Sequence, residues 1–441
     1  MPIDLTVLSQ RIANIQKFRP LGRVARIEAG MIDIAGLDFV ARIGDPLILR
    51  RADAEDLRGE VLQISDGLVR MLPERDPVSV ALNDRVVLER GEGFAPCDAW
   101  IGRVIDPLGQ PIDNKPLPKG LEARDVIADP PAPATRQPLG DRLSTGLSVL
   151  NTLLPVVEGQ RIGLFAGSGV GKSSLLSHLA QHMASDVVVV ALIGERGREL
   201  NHFVTEVLGS EGMKRAVVVA ATSDQSPLMR RRCAWSAMAV AEHFRDAGKS
   251  VLFLADSVTR FAEAHREIAT AAGEAPALRG YPPSTAQMMM SLCERAGPGS
   301  QGQGAITGVF SVLVAGSDME EPVADVLRGT LDGHIVLSRQ IAERGRYPAI
   351  DVSRSVSRSL PAAASDSENA LISETRKLLG AYERSEMMIR SGLYAPGSDP
   401  VLDHAVRAWP DLDAFIGEPE TQDIARSFDR LNLILRRTMR G

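Results

Sequence analysis

The chain has 441 residues, 44% of them apolar, and this is enough to fill the cores of two or three domains. A formal net charge of −6 argues against a surface that binds nucleic acid mainly by neutralising phosphates. The sequence contains neither an apolar run of membrane-spanning length nor an N-terminal signal-peptide pattern. Cys97, Cys233 and Cys293 lie far apart and outside any metal-ligand spacing, which predicts buried thiols in a reducing compartment. We therefore expect a globular, cytoplasmic protein.

The first 20 residues carry an amphipathic pattern. Apolar residues recur at helical spacing between polar ones, at Leu5, Leu8, Ile12 and Ile15. The pattern predicts a short helix within residues 1–20. Its apolar stripe could bind a partner or pack on the chain's own domain, and periodicity alone does not distinguish the two.

Residues 21–95 contain short, β-branched runs that are broken by glycine and by Asp-containing turns. This pattern predicts a small β-barrel. Because the segment has no cluster of residues suited to catalysis, we expect a structural or assembly role for it.

Strands alternate with helix-length segments over residues 96–365, after a Pro-rich connection at 116–138. The alternation predicts an α/β domain with a mainly parallel, doubly wound sheet, whose ligands bind at the carboxyl ends of the strands. The predicted strands are 161–165, 187–193, 217–221, 251–255, 306–314 and 334–338. Residues 366–441 are poor in strand patterns and predict a C-terminal helical domain, in which Asp399 is a candidate helix cap.

A glycine-rich turn at 161–173, RIGLFAGSGVGKS, joins an apolar strand to a helix predicted at 172–183. Glycines there allow a tight turn whose backbone amides point at phosphate oxygens, so the turn is typical of a nucleotide-binding P-loop. Lys172 would bridge the β- and γ-phosphates, and the Ser173 hydroxyl would ligate Mg²⁺. The usual first glycine is Ala166 here, and the alternative is a turn that binds nothing. The candidate nucleotide-binding residues are Gly167, Ser168, Gly169, Val170, Gly171, Lys172, Ser173 and Ser174.

Asp256 ends the apolar run VLFLAD. A carboxylate at the end of a strand can hold Mg²⁺ directly or through water, as in a Walker B motif. The alternative is that Asp256 caps the following helix.

Glu195, in GERGRE, ends a strand that we expect to lie close to the P-loop strand. A carboxylate near the γ-phosphate can orient and polarise the attacking water, so Glu195 is the candidate catalytic base, with Arg196 beside it. The alternative is that Glu195, Arg196, Arg198 and Glu199 form only a solvated charge cluster.

Two residues further along the chain are candidates for other contacts with the nucleotide. Tyr347, in RYPAID, could stack on adenine, or it could be a core or interface tyrosine. Arg358, in SVSRS, could reach the γ-phosphate bound by a neighbouring subunit.

The ordered motifs AGSGVGKSS, GERGRE, LADSVTRFA, RGYPPS, ERAG, LDGHIVLSR, YPAID and SVSR resemble the flagellum-specific ATPases of the type III export apparatus over nearly the whole chain. That family is kin to the injectisome ATPases and, more distantly, to the catalytic subunit of rotary ATP synthases. The resemblance implies an N-terminal β-barrel, a central RecA-like ATPase domain and a C-terminal helical domain, assembled as a homohexamer. Ser317, where relatives commonly carry an acid, and the polar SRSLPAAAS that includes Arg358 depart from the family pattern.

The resemblance also implies the cofactors, the roles of the site residues and the partners. ATP and Mg²⁺ would be held by Lys172, Ser173 and Asp256, Glu195 would activate water, Tyr347 would contact adenine, and Arg358 would act across the subunit interface. The expected partners are further copies of the chain, a stator-like regulatory protein at the N-terminal helix, a central stalk protein, export-gate membrane proteins, and export chaperones with their substrates, but no nucleic acid. The protein would lie at the cytoplasmic face of the inner membrane.

Four other functions remain open at the level of sequence. An injectisome ATPase would catalyse the same reaction but would serve a virulence-type secretion system. A rotary ATP synthase subunit would need a distinct, non-catalytic companion chain. A hexameric RNA translocase would show hydrolysis stimulated by nucleic acid. A nucleotide-dependent assembly scaffold would bind ATP with negligible turnover.

Overall fold

The computed structural model describes residues 18–28, 30–89, 93–314 and 319–439, without the side chain of Leu278. The helix predicted within residues 1–20 and the departure at Ser317 lie outside these ranges, apart from residues 18–20. Within them, no helix is long and apolar enough to cross a lipid bilayer.

The N-terminal part is a closed six-stranded antiparallel barrel, as the sequence predicts. Its strands are β1 Leu21–Glu28, β2 Met31–Ala35, β3 Pro46–Arg50, β4 Leu57–Ser65, β5 Leu68–Pro73 and β6 Arg85–Leu88. They are hydrogen-bonded in the order β1-β2-β5-β4-β3-β6. Alternate residues point inward, as with Val69 and Met71 of β5, and closure leaves no sheet edge open to another strand.

The central part is built on a nine-stranded sheet. The strands that follow the barrel are β7 Arg103–Ile105, β8 Gly146–Leu147, β9 Arg161–Ala166, β10 Val187–Glu195, β11 Ala216–Thr222, β12 Ser250–Asp256, β13 Gly297–Pro298, β14 Ala305–Leu313, β15 Gly333–Leu337, β16 Ile350–Ser357 and β17 Pro419–Glu420. The sheet order is β16-β15-β9-β14-β12-β10-β11-β7, and β13 pairs with β14. The pairs are parallel except those of β16 and β13, which confirms the predicted sheet.

Helices cover both faces of this sheet, which is why β10 and β12 are apolar along almost their whole length. The helices are α1 Ser148–Asn151, α2 Lys172–His182, α3 Gly197–His202, α4 Gly209–Met213, α5 Pro227–Asp246, α6 Val258–Ala271, α7 Ser284–Arg295, α8 Pro322–Thr330 and α9 Arg339–Glu343. A π-helical segment, Phe203–Leu208, joins α3 to α4, and short 3₁₀ turns lie at Asp98–Trp100, Pro133–Thr135 and Leu278–Gly280.

The C-terminal part consists of helices α10 Asp366–Arg390, α11 Pro400–Ile416 and α12 Ile424–Met439, as predicted. Ser365 and Glu368 form a capping box at the start of α10, and the Asp399 side chain accepts bonds from two amides of α11. The pairing of β17 with β8 joins this helical part to the central one.

Two expectations from the sequence are wrong in detail. β10 was expected close to the P-loop strand β9, but β14 and β12 lie between them. Cys233 and Cys293 are buried thiols, whereas Cys97 is partly exposed.

Candidate nucleotide-binding site

The P-loop connects the carboxyl end of β9 to the start of α2. Gly169 and Gly171 have φ values of +74° and +90°, a left-handed conformation that glycine adopts without a steric penalty. The first amide bonded back to this turn is that of Leu175, which donates to the Gly171 carbonyl at 3.0 Å. The amides of Lys172, Ser173 and Ser174 therefore have no acceptor within the helix, which is the arrangement that binds anions.

Lys172 and Asp256 meet at this end of the sheet. The Lys172 ammonium contacts Asp256 Oδ1, with the two side chains only 11% and 9% exposed. The same oxygen accepts a 2.8 Å bond from the hydroxyl of Ser311 on β14. The helix that follows β12 is capped by Ser257, whose Oγ accepts from the Arg260 amide, so the structure does not support the alternative that Asp256 is a cap.

Glu195 reaches the same region from β10. Burial is the main cause that raises the pKa of Glu195 to about 8, and the Glu199 carboxyl and the charge of Asp256 raise it further, against Lys172. The strand register places Glu195 at the same end of the sheet as Asp256, because β10 pairs with β12 and Leu192 lies opposite Asp256. Two strands nevertheless separate β10 from β9. A carboxyl with a pKa of about 8 can exchange a proton near neutral pH.

The other charged residues of GERGRE face solvent. Arg196 is 73% exposed, and its ion pair runs to Glu199 at 3.7 Å. The predicted cluster is thus divided between a half-buried Glu195 and exposed neighbours. The structure does not bring Arg196 to the Lys172–Asp256 pair.

Tyr347 lies against the P-loop. A methyl group placed on the Gly171 α-carbon would lie 3.2 Å from Cδ1 of its ring, so the ring packs on the turn itself. The Tyr347 side chain is still 53% exposed, which leaves a surface on which another planar ring could stack.

Arg358 lies at the end of the strands that is opposite to the P-loop. β16 is antiparallel to β15: its first residue, Ile350, pairs with Leu337 at the P-loop end, and its last residue, Ser357, pairs with Gly333 at the other end. Because a strand rises about 3.3 Å per residue, Arg358 is roughly 15 Å from the P-loop edge of its own sheet. Its exposed guanidinium donates to the Arg328 carbonyl at 3.2 Å. Arg358 is therefore far from the nucleotide site of its own chain.

Two residues that contact the site were not predicted from the sequence. Arg339 donates to the Ser168 carbonyl of the P-loop at 3.1 Å, and its place in the motif LDGHIVLSR was the available signal. Ser311 had a weaker signal, a lone hydroxyl within the apolar run VFSVLV.

These residues fit a magnesium–nucleotide complex by their chemistry. Backbone amides and Lys172 suit phosphate oxygens, while the Ser173 hydroxyl and the Asp256 carboxylate suit a hard cation. In the described ranges no three His, Cys, Asp or Glu side chains group closely enough to hold a metal by themselves. Mg²⁺ usually keeps substrate phosphates among its ligands, so a single hydroxyl and a single carboxylate are a suitable protein contribution to its site.

A mainly parallel α/β sheet with a P-loop at one strand end and a carboxylate at the end of a nearby strand defines a P-loop nucleotide-binding protein. Residues 146–357 match the model of the ATP synthase alpha/beta family, nucleotide-binding domain, and residues 364–432 match that of the T3SS EscN ATPase C-terminal domain. The chain is 44% identical to the flagellum-specific ATP synthase of Caulobacter vibrioides, over 96% of this chain and 98% of that protein. It is 43% identical to the protein of that name from Pseudomonas aeruginosa, over 99% of both.

A solved structure of the assembled ATPase EscN from the enteropathogenic E. coli type III secretion system has a TM-score of 0.86 at 35% identity, covering 94% of this chain and all of that one. EscN in complex with its central stalk EscO matches with a TM-score of 0.84 at the same identity and coverage. The chain belongs to the flagellum-specific ATP synthase family, and it is an ATPase. These matches confirm the predicted fold class, with its barrel, nucleotide-binding domain and helical C-terminal part.

Proposed function

We propose that this chain hydrolyses ATP in a homohexameric ring and that the ring assists flagellar type III protein export, through chaperone release, substrate unfolding and delivery to the export gate. The convergence of Lys172, Asp256 and Glu195 at one sheet end carries the hydrolytic part of the proposal. The names of the relatives, from several bacteria, support the flagellar part. The division into residues 1–20, 21–95, 96–365 and 366–441 belongs to the same proposal.

The site residues act together on ATP and Mg²⁺. The P-loop amides and Lys172 bind the phosphates, Ser173 and Asp256 hold Mg²⁺, and Tyr347 packs on the adenine. Mg²⁺ held there would supply positive charge against the phosphoryl oxygens. Glu195, once ionised, accepts a hydrogen bond from the attacking water and orients it toward the γ-phosphate. Arg196 is exposed beside Glu195 and is not brought to the Lys172–Asp256 pair, so its catalytic role stays a prediction.

Arg358 completes the site of a neighbouring subunit. Its position at the far sheet edge, with its guanidinium at the surface, supports action in trans, because it lies far from its own P-loop. A fixed guanidinium there would stabilise the charge of the transferring phosphoryl group. Assembly is supported by the likeness to the assembled EscN structure.

One of the proposed partners is supported by the same relatives. The structure of EscN with its central stalk EscO supports a stalk protein as a partner of this chain too. We further infer a stator-like regulatory protein at the N-terminal helix, export-gate membrane proteins, and chaperones with their substrates, at the cytoplasmic face of the inner membrane.

The test is to replace the chromosomal copy with Glu195→Gln and to measure secreted hook and filament proteins and swimming. Export should fall steeply while the protein level is unchanged. A matched control is Glu211→Ala, which removes an exposed carboxylate that pairs with Lys214 and should leave export intact. Normal flagellar export in Glu195→Gln cells, together with a loss of any virulence-type secretion, would instead assign the chain to an injectisome.

A further inference from the structure

Ser311 is a buried hydroxyl in the middle of the nucleotide-binding domain. It lies on β14, the strand between the P-loop strand β9 and the Asp256 strand β12, and its side chain is fully enclosed. Val309, two residues before it on the same face of β14, is a buried apolar residue. A hydroxyl in such surroundings destabilises the fold unless it forms a hydrogen bond, so the bond that it forms identifies its role.

The bond of Ser311 goes to the carboxylate at the end of β12. Ser311 Oγ donates to Asp256 Oδ1 at 2.8 Å, and Lys172 Nζ contacts the same oxygen. Both donors use Oδ1, so neither occupies Oδ2 of the carboxylate. The orientation of the Asp256 carboxylate is therefore fixed through Oδ1 alone. One of the two donors, the Ser311 hydroxyl, is on a core strand, whereas the other, the Lys172 ammonium, is on a long flexible side chain.

We propose that Ser311 is the positioning residue that keeps the Asp256 carboxylate oriented for Mg²⁺ when Lys172 leaves it to bind phosphate. This inference rests on the proposed role of Asp256 in holding the metal. Lys172 cannot direct its full charge to Asp256 and to the nucleotide phosphates at the same time. Once it turns to the phosphates, Ser311 still donates to Oδ1, and Oδ2 stays directed to the metal position.

The inference predicts an effect on metal affinity that a merely structural hydroxyl would not have. Groups that orient a metal-binding carboxylate typically contribute about 10- to 100-fold to metal affinity, although they never touch the metal. Thr307 on the same strand is the matched control, because its buried hydroxyl accepts a 2.9 Å bond from the Gly159 amide instead.

The experiment compares the full-length protein with Ser311→Ala, Ser311→Thr and Thr307→Ala. Binding of Mn²⁺ in the presence of ADP is measured by electron paramagnetic resonance, and binding of fluorescent ADP is measured in EDTA. We expect Ser311→Ala to weaken Mn²⁺ binding about 10-fold while metal-free ADP affinity changes less than about 2-fold. Ser311→Thr, which keeps the hydroxyl, should restore Mn²⁺ affinity, and Thr307→Ala should leave it unchanged even where the thermal midpoint falls.

Unchanged Mn²⁺ affinity in folded Ser311→Ala overturns the inference, as does an equal loss in Thr307→Ala. Should Ser311→Ala fail to fold, Ser311→Cys takes its place, because a thiol fills the same space but donates only weakly. Asp256→Asn separates this inference from the proposed function. If Asp256→Asn also leaves Mn²⁺ affinity unchanged, the metal role of Asp256 is wrong; if it lowers the affinity while Ser311→Ala does not, only the role of Ser311 is wrong.

Discussion

The ammonium of Lys172 contacts the carboxylate of Asp256, and this ion pair joins the P-loop helix to the end of β12 across the intervening strand β14. Both side chains are almost completely buried, so each neutralises a charge that would otherwise be costly to bury. The lysine must leave this partner to bind phosphate. The affinity for nucleotide should therefore depend on the negative charge of Asp256.

This coupling predicts opposite effects of Asp256→Asn on two affinities. ADP binding without metal should strengthen by about 3- to 10-fold, because Lys172 no longer gives up an ion pair to reach phosphate. The additional affinity that Mg²⁺ confers on ADP should be lost. Titration of fluorescent ADP in EDTA and in Mg²⁺ measures both. Weaker binding in EDTA would show that the ion pair does not compete with phosphate.

The raised pKa of Glu195 predicts the pH dependence of hydrolysis. If the ionised carboxylate orients water, kcat/KM should rise with pH up to about 8, the pKa of this group in the free enzyme. Initial rates from pH 6 to 9, in buffers of constant ionic strength, test this. A flat kcat/KM over that range would exclude Glu195 as the titrating group.

The same pKa has a consequence for stability. Between its ordinary pKa of 4.5 and about 8, Glu195 keeps its proton when folded but loses it when unfolded, so the free energy of unfolding falls as pH rises through this range. Glu195→Gln cannot ionise, and it should be more stable than the unaltered protein at pH 8.5 by about 1 kcal/mol, after allowance for solvent screening. Thermal midpoints without nucleotide at pH 5 and 8.5 give the comparison. An equal difference between the two proteins at both pH values would contradict the prediction.

The barrel is joined to the nucleotide-binding domain by a buried ion pair. Arg231 of α5 donates to Glu60 of β4 at 3.0 Å and lies 4.9 Å from the ring centre of Trp235. Glu60→Ala would leave the Arg231 charge buried and should destabilise the protein by about 3 kcal/mol. The double change Glu60→Leu with Arg231→Met should recover much of that loss, because no charge then remains buried. Urea unfolding followed by tryptophan fluorescence measures both. A loss as small as that for the exposed Glu211→Ala would mean that the pair contributes little.

Local patterns in the sequence were sufficient for much of this fold. Six strands of the central sheet, from β9 to β12 together with β14 and β15, fall within about two residues of their predicted ends, because buried parallel strands are nearly continuous apolar runs with clear limits. The strands β7, β13 and β16 were not predicted. The P-loop was equally predictable, since its glycines and its Lys-Ser pair are adjacent in sequence. Asp399 and the start of α11 followed from local capping chemistry.

The order of strands could not be predicted in this way, because it depends on contacts between segments distant in sequence. β10 was expected close to β9, yet β14 and β12 lie between them. For the same reason the bond from Ser311 to Asp256, which joins positions 55 residues apart, was not predicted. The domain boundaries at residues 95 and 365, and the roles of the site residues, stay predictions.

In the proposed ring, each site is shared between two chains, with Glu195 from one and Arg358 from the next. The most direct measurement is phosphate release per chain against protein concentration, for the unaltered protein, Glu195→Gln, Arg358→Ala and an equal mixture of the two variants. Specific activity should rise with concentration, each variant should be nearly inactive, and the mixture should recover activity, since roughly a quarter of randomly formed interfaces join an intact Glu195 to an intact Arg358. Activity that is independent of concentration, with a harmless Arg358→Ala, would show that the chain hydrolyses ATP alone and would contradict the shared site.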